Sequence, residues 1–178
     1  MSNVDDLLDD FDDEDVYYDP QMSTLIPEGS YPASITGLYS KRIKTQRGNN
    51  GMLYKPQYRL DDTVRNHGGR DVQDAGVWRF FGTKDEEGRR ITGGSNAGYK
   101  RFLDKIHIPL QKIERENKDD EPRIIVKLPA ITKDLLLDKS VVISVTHEEW
   151  EGQHGRNITP TATLVRVRNG SDNGQGGT

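Results

Sequence analysis

Residues 52–62, MLYKPQYRLDD, and residues 76–84, GVWRFFGTK, decide how this chain folds, because aromatic and basic side chains interleave along two short runs of strand character. Successive residues of a strand point to opposite sides, so Met52, Tyr54, Tyr58 and Leu60 fall in one phase and Lys55, Gln57 and Arg59 in the other. One face can pack while the other meets a ligand. Pro56 places this strand near an edge or a bulge, since it lacks the N–H that a central ladder needs. In the second run Trp78 and Phe80 share one side, Arg79 and Phe81 the other. One pair must be core, and the reading that points Lys55, Arg59 and Arg79 outward buries Trp78.

Upstream, IPEGSYPASITGLYSKRIKT (26–45) opens on a turn at Pro27 and Gly29 and continues as a long strand. Tyr31, Ala33, Ile35 and Tyr39 lie on one face, with Ser34, Thr36 and Arg42 on the other. Gly37 within it predicts a bulge or bend. The Gly- and Asn-rich QRGNNG (46–51) predicts a hairpin turn, whose tip exposes Lys44 and Arg47 in any packing. Residues 62–76 are polar and predict a loop; Val77–Thr83 then predicts the third strand.

Beyond Ser95, read as an N-cap, Tyr99, Phe102, Leu103 and Ile106 recur at helical spacing until Pro109, which predicts a short helix. ERENKDDEP (114–122) predicts a solvated linker, and 124–139 a strand or turn of helix covering a barrel opening. SVVISVTHEEW (140–150) and ITPTATLVRVR (158–168) alternate as the two arms of a C-terminal hairpin. Three strands, a short helix and two further strands are the order of a mainly β, five-stranded Greek-key barrel of the OB type. The predicted organisation is an acidic arm over 1–25, the barrel domain over 26–168 and a Gly-rich tail over 169–178.

The net charge of −4 conceals a segregation: nine of the 29 acids lie in residues 1–20, where there is no Lys or Arg, so 25 bases face 20 acids over the rest. A basic body carrying an acidic arm predicts a polyanion-binding surface and an arm that competes for it or recruits a partner. Within the arm, Leu8, Phe11, Asp12, Asp13 and Tyr17 are the candidate partner-binding residues, because a purely solubilising tail needs no apolar anchors. There is no cysteine, which excludes disulfides and thiolate metal sites. No apolar run reaches the ~18 residues of a membrane span, so a soluble cytoplasmic protein is expected.

Coating a single strand of nucleic acid needs rings for stacking and cations for the backbone. The candidates are Tyr39, Tyr54, Tyr58, Trp78, Phe80 and Tyr99 for the bases, and Lys41, Arg42, Lys44, Arg47, Lys55, Arg59, Arg79, Lys84 and Lys100 for the phosphates, with Arg89, Arg90 and Arg101 beside them. Aromatics also pack well on half-buried sheet surfaces, so some of these rings belong to the core. GGSNAGYK (93–100) fails as a phosphate loop, since Lys100 does not follow Gly98 directly and neither Ser nor Thr succeeds it. His67, His107, His147 and His154 lack metal-ligand spacing, and HEEW (147–150) lacks the second histidine of a zinc-protease helix. No catalytic set, metal or cofactor is expected.

The segments 26–45, 76–83 (GVWRFFGT), 135–150 (LLLDKSVVISVTHEEW) and 157–168 (NITPTATLVRVR) together resemble phage-encoded OB-fold single-stranded DNA-binding proteins, many of which open strand one with Pro-x-Gly-x-Tyr, here Pro27, Gly29 and Tyr31. The resemblance implies sequence-tolerant coating of single strands in DNA replication, recombination or repair, in the host cytoplasm, with replication or recombination proteins as partners of the arm. Such proteins carry an acidic tail at the C-terminus, whereas here the acidic, Phe-containing stretch is N-terminal. The competing expectation is a β-rich phage structural or assembly protein whose acidic arm docks on a neighbouring subunit.

Overall fold

The computed structural model describes residues 13–20, 24–115 and 123–168. Strands β1 (Gly29–Lys44) and β2 (Asn50–Leu60) form the long N-terminal hairpin, followed by β3 (Asp71–Asp74) and β4 (Val77–Phe80). Short strands β5 (Thr83–Lys84) and β6 (Arg90–Ile91) lead through a 3-10 turn into helix α1 (Ala97–Lys105). A separate hairpin of β7 (Lys112–Arg115) and β8 (Arg123–Val126), a single turn of helix α2 (Lys133–Leu136), and the hairpin of β9 (Ser140–Gly152) and β10 (Gly155–Val167) complete the chain.

The protein is mainly β and closes a five-stranded barrel, consistent with an OB-like barrel. Around the ring β1 pairs with β2, β2 with β3, β10 with β9 and β9 with β1, all antiparallel, while β3 and β10 run parallel. β4 resumes the line of β3 after a break at Gly76 (φ 126°) and pairs with the first half of β2 as a sixth strand.

Two bulges set which side chains face in. In β1 the register slips between Ile35 and Gly37, as the glycine predicts, leaving Thr36 as the extra residue. Ala33 and Ile35 point inward before the slip and Leu38 after it, so Tyr39 is turned to solvent, opposite to unbroken alternation. In β10 the slip between Leu164 and Arg166 does the same, exposing Val165 and bringing Val167 against the core. The interior then holds Ile35, Tyr58, Leu60, Val141, Ile143, Val145, Ala162 and Leu164, joined by Leu103 and Ile106 from the helical segment and by Leu136 of α2, which packs on β1. Each large apolar side chain fully buried there contributes ~1.5–3 kcal/mol.

Three sequence expectations are corrected. The loop expected over 62–76 contains β3, whose inward residues are Val72 and the carboxylate of Asp74, a pattern that does not read as a strand. Val77–Thr83 is not one strand: it breaks at Gly82 (φ 64°), where a Cβ would collide with the Ile91 carbonyl, and β3 supplies the third stave of the barrel. Asn96, not Ser95, precedes α1, and the helix ends at Lys105 with Ile106 as its C-cap, the next residue His107 turning the chain at a φ of 61° before Pro109. The linker expected over 114–122 is strand at 114–115 and otherwise lies outside the described residues, as do the tail and most of the arm. Among the described residues no helix is long and apolar enough to cross a membrane.

Candidate nucleic-acid interface

Beyond the barrel ring, the far halves of β1 and β2 continue with β4 as a three-stranded ribbon, and its register sorts the candidate side chains onto two faces. Lys41, Leu53 and Trp78 stand in one cross-strand row and Tyr39 and Lys55 in the next; all five point outward. Residues paired across strands share a side, and those two apart along a strand stay on it. Phe80 and Arg59 belong to the same face. Tyr39 and Trp78 are 48% and 43% exposed, so both present ring surface to solvent. Trp78 lies near-parallel to Phe80, with ring centroids 6.2 Å apart at 13°, a pairing that fixes the indole. Among the described residues no carboxylate pairs with Lys41 or Lys55, whereas Arg59 is held by Asp71 at 3.2 Å.

The Trp78–Phe80 pair also walls a cleft of about 540 Å³ between β4 and α1. Its opposite wall carries Gly98, Arg101, Phe102 and Lys105, and its floor Asp74 and Leu164. Lys105 donates to the Leu164 carbonyl at 3.0 Å. Asp74 accepts from the Tyr58 hydroxyl at 2.6 Å and from the Gly76 N–H at 2.8 Å. Burial pushes this carboxyl above its ordinary range, against the pull of those two bonds and of Lys105 and Lys55. The same burial raises Tyr58, reinforced by the neighbouring Asp74.

Asn96 fixes the two walls together. Its carboxamide oxygen accepts from the Phe80 N–H at 2.8 Å while its nitrogen donates to the Phe80 carbonyl at 3.0 Å and to Thr92 Oγ1 at 2.8 Å. The side chain thus pairs with the open edge of β4 as a neighbouring strand would, and sets α1 beside Trp78.

Several sequence candidates are placed elsewhere. Tyr54, Tyr58 and Tyr99 are 4%, 0% and 1% exposed and offer no ring face to a base; they fill the core, with Tyr54 and Tyr99 in tilted contact at 5.9 Å and the Tyr99 hydroxyl donating to the Pro129 carbonyl at 2.6 Å. Arg79 points away from Trp78, in the row of Arg42 and Met52, because Val77 two residues earlier pairs with Tyr54 and packs on the core. The assignment of Arg79 outward with Trp78 buried is therefore reversed. Lys44 and Arg47 are exposed at the β1–β2 tip. Lys84 sits outside the barrel sheet in the β5–β6 hairpin, and Lys100 is exposed in an i,i+4 pair with Asp104 at 3.1 Å. Of the arm candidates, Asp13 and Tyr17 are exposed, and Leu8, Phe11 and Asp12 lie outside the described residues. Sequence reading missed Asn96 and Asp74, whose roles come from contacts 16 residues away; no local pattern marks them.

No protein-family model matches the sequence, and no curated protein compared with it is similar.

Proposed function

We propose that this chain is a non-enzymatic, sequence-tolerant single-stranded DNA-binding protein built on an OB-type barrel, acting in replication, recombination or repair of a phage genome. The observation that carries the reading is the outward face of the ribbon, where the solvent-exposed rings of Tyr39 and Trp78 alternate with Lys41 and Lys55. Every base has a π-face, so stacking on such rings tolerates any sequence, while the lysines follow the phosphates. The strand order around the ring, with α1 between the third and fourth staves, supports the OB reading. The acidic arm, opposite in sign to this face, then regulates access to it or recruits replication partners.

The test is a fluorescence titration of the full chain with oligo-dT at several salt concentrations, with duplex DNA and matched RNA as controls. Quenching that is salt-dependent and favours single strands is expected. A Trp150→Phe variant should keep the quench and Trp78→Phe should lose it, since Trp150 lies on the distant β9–β10 hairpin. Absence of binding at low salt overturns the reading. One observation favours the assembly alternative: residues 147–160 of that hairpin extend past their last partners in β1 and β3 and expose Trp150 and Ile158. Substitutions there that change oligomeric state while ssDNA affinity is nil would select it.

A further inference from the structure

The reverse face of the same ribbon gathers positive charge around one ring. The guanidinium carbons of Arg90, Arg42 and Arg79 lie 5.8, 5.9 and 6.0 Å from the centroid of Phe81. Register explains the convergence: Arg42, Met52 and Arg79 form one row on this face, and the Phe81 N–H donates to the Asn50 carbonyl at 2.9 Å, continuing it. Gly51 brings the strands close here, since a Cβ on it would meet the Arg79 carbonyl at 2.5 Å. Arg79 is aimed by donating Nε and Nη2 to the Leu128 carbonyl at 3.3 and 3.1 Å.

These residues, with Lys44 and Asn50, wall a groove of about 690 Å³ whose lining holds no carboxylate among the described residues. Three guanidiniums on one ring repel each other, and attraction to the aromatic face offsets only part of that. Among the described residues Arg42 and Arg90 have no acidic partner, so the charge is left for a ligand. The planar fork of arginine matches the oxygens of a phosphate in bidentate fashion.

We infer that this groove is a second phosphate site for the same nucleic-acid strand, reached after the strand turns over the β1–β2 tip. The inference rests on the proposed single-strand binding at the front face. Lys41 in front, Lys44 and Arg47 at the tip, and Arg42 behind make a continuous cationic path around the hairpin end. A sheet with its side chains is only about 10 Å through, a span that a few nucleotides cover. An acidic peptide would find charge here but would not need the path.

The experiment compares the full-length protein with Arg42→Ala/Arg90→Ala and Arg42→Lys/Arg90→Lys, leaving the tethered Arg79 in place. Affinity for oligo-dT is measured against salt and against oligonucleotide length. Two lost phosphate contacts should make the slope of log K against log salt shallower by about 1.4, shorten the oligonucleotide needed for full affinity, and leave the Trp78 quench at saturation unchanged. The lysine pair should keep most of the slope. Unchanged slope and length dependence in the alanine pair, with wild-type binding intact, overturn this inference alone; no binding by wild type removes the front-face reading as well. If the alanine pair alters binding only while the acids of residues 1–20 are present, and not after their replacement by Asn and Gln, the groove holds the arm and the inference is overturned.

Discussion

The Tyr58 hydroxyl donates to Asp74 Oδ2 at 2.6 Å, joining the most buried ring of β2 to the one carboxylate that β3 turns inward. Tyr58→Phe keeps the ring and removes the donor, leaving a buried carboxyl oxygen short of a partner. Destabilisation of about 1–3 kcal/mol is expected by urea unfolding, with ssDNA affinity unchanged. A large loss of affinity at unaltered stability would contradict the placement of Tyr58 in the core.

Asp74 also fixes a pH dependence. Its carboxyl is raised from 3.8 chiefly by burial, so the folded state holds the proton more firmly than the unfolded chain does. Its contribution is fully present below pH 3.8 and is lost as pH rises through the raised value. Asp74→Asn does not titrate, so the stability of wild type minus that of the variant should fall over a window that opens at about pH 4 and runs upward. A flat difference across that window would refute the burial argument.

Asn96→Ala strips β4 of the partner that its open edge uses and frees the start of α1. The Phe80 N–H and carbonyl lose their bonds, and about 1–3 kcal/mol of stability should go with them. Hydrogen exchange should rise over residues 97–106 more than in β9. Equal protection in both proteins would show that packing of Tyr99, Phe102 and Leu103 alone holds the helix.

Trp78→Ala should weaken oligo-dT binding by about 1–3 kcal/mol, the range for one stacked base, with little change in Tm because the ring is half exposed. Tyr99→Phe, which keeps the ring and loses the hydroxyl's backbone bonds at Pro129 and Ile131, should bind as wild type does. Equal losses from both would mean that the substitutions act through the fold.

Replacing the nine acids of residues 1–20 by Asn and Gln should tighten oligo-dT binding at low salt, and the gain should vanish as salt rises. The same affinity at every salt concentration would remove the arm from competition for the cationic surface.

The long hairpins were legible because Ala33, Ile35, Tyr58 and Leu60, and Val141, Ile143 and Val145, alternate strictly over enough residues to outvote their neighbours. What alternation cannot carry is a change of phase. Tyr39 shares the parity of Ile35 in sequence and the opposite face in space, because a single extra residue at Thr36 lies between them. The face of Trp78 was undecidable from VWRF, where aromatics and arginine satisfy either orientation; Val77, small and placed opposite Tyr54, settles it. β3 was hidden because a four-residue strand with one inward apolar side chain makes no pattern.

The parallel seam between β3 and β10 consists of Gln73 paired with Thr161 and Asp74 with Ala162, plus the bond from the Ala75 N–H to the Ala162 carbonyl at 2.9 Å. It is a clasp with few hooks, joining segments far apart along the chain, and closing so long a loop makes it a late event in folding. Opening begins where the fewest bonds must break. Because Asp74 and Leu164 on its two sides also floor the cleft beside Trp78, the last joint to close is the one that gives that cleft its shape.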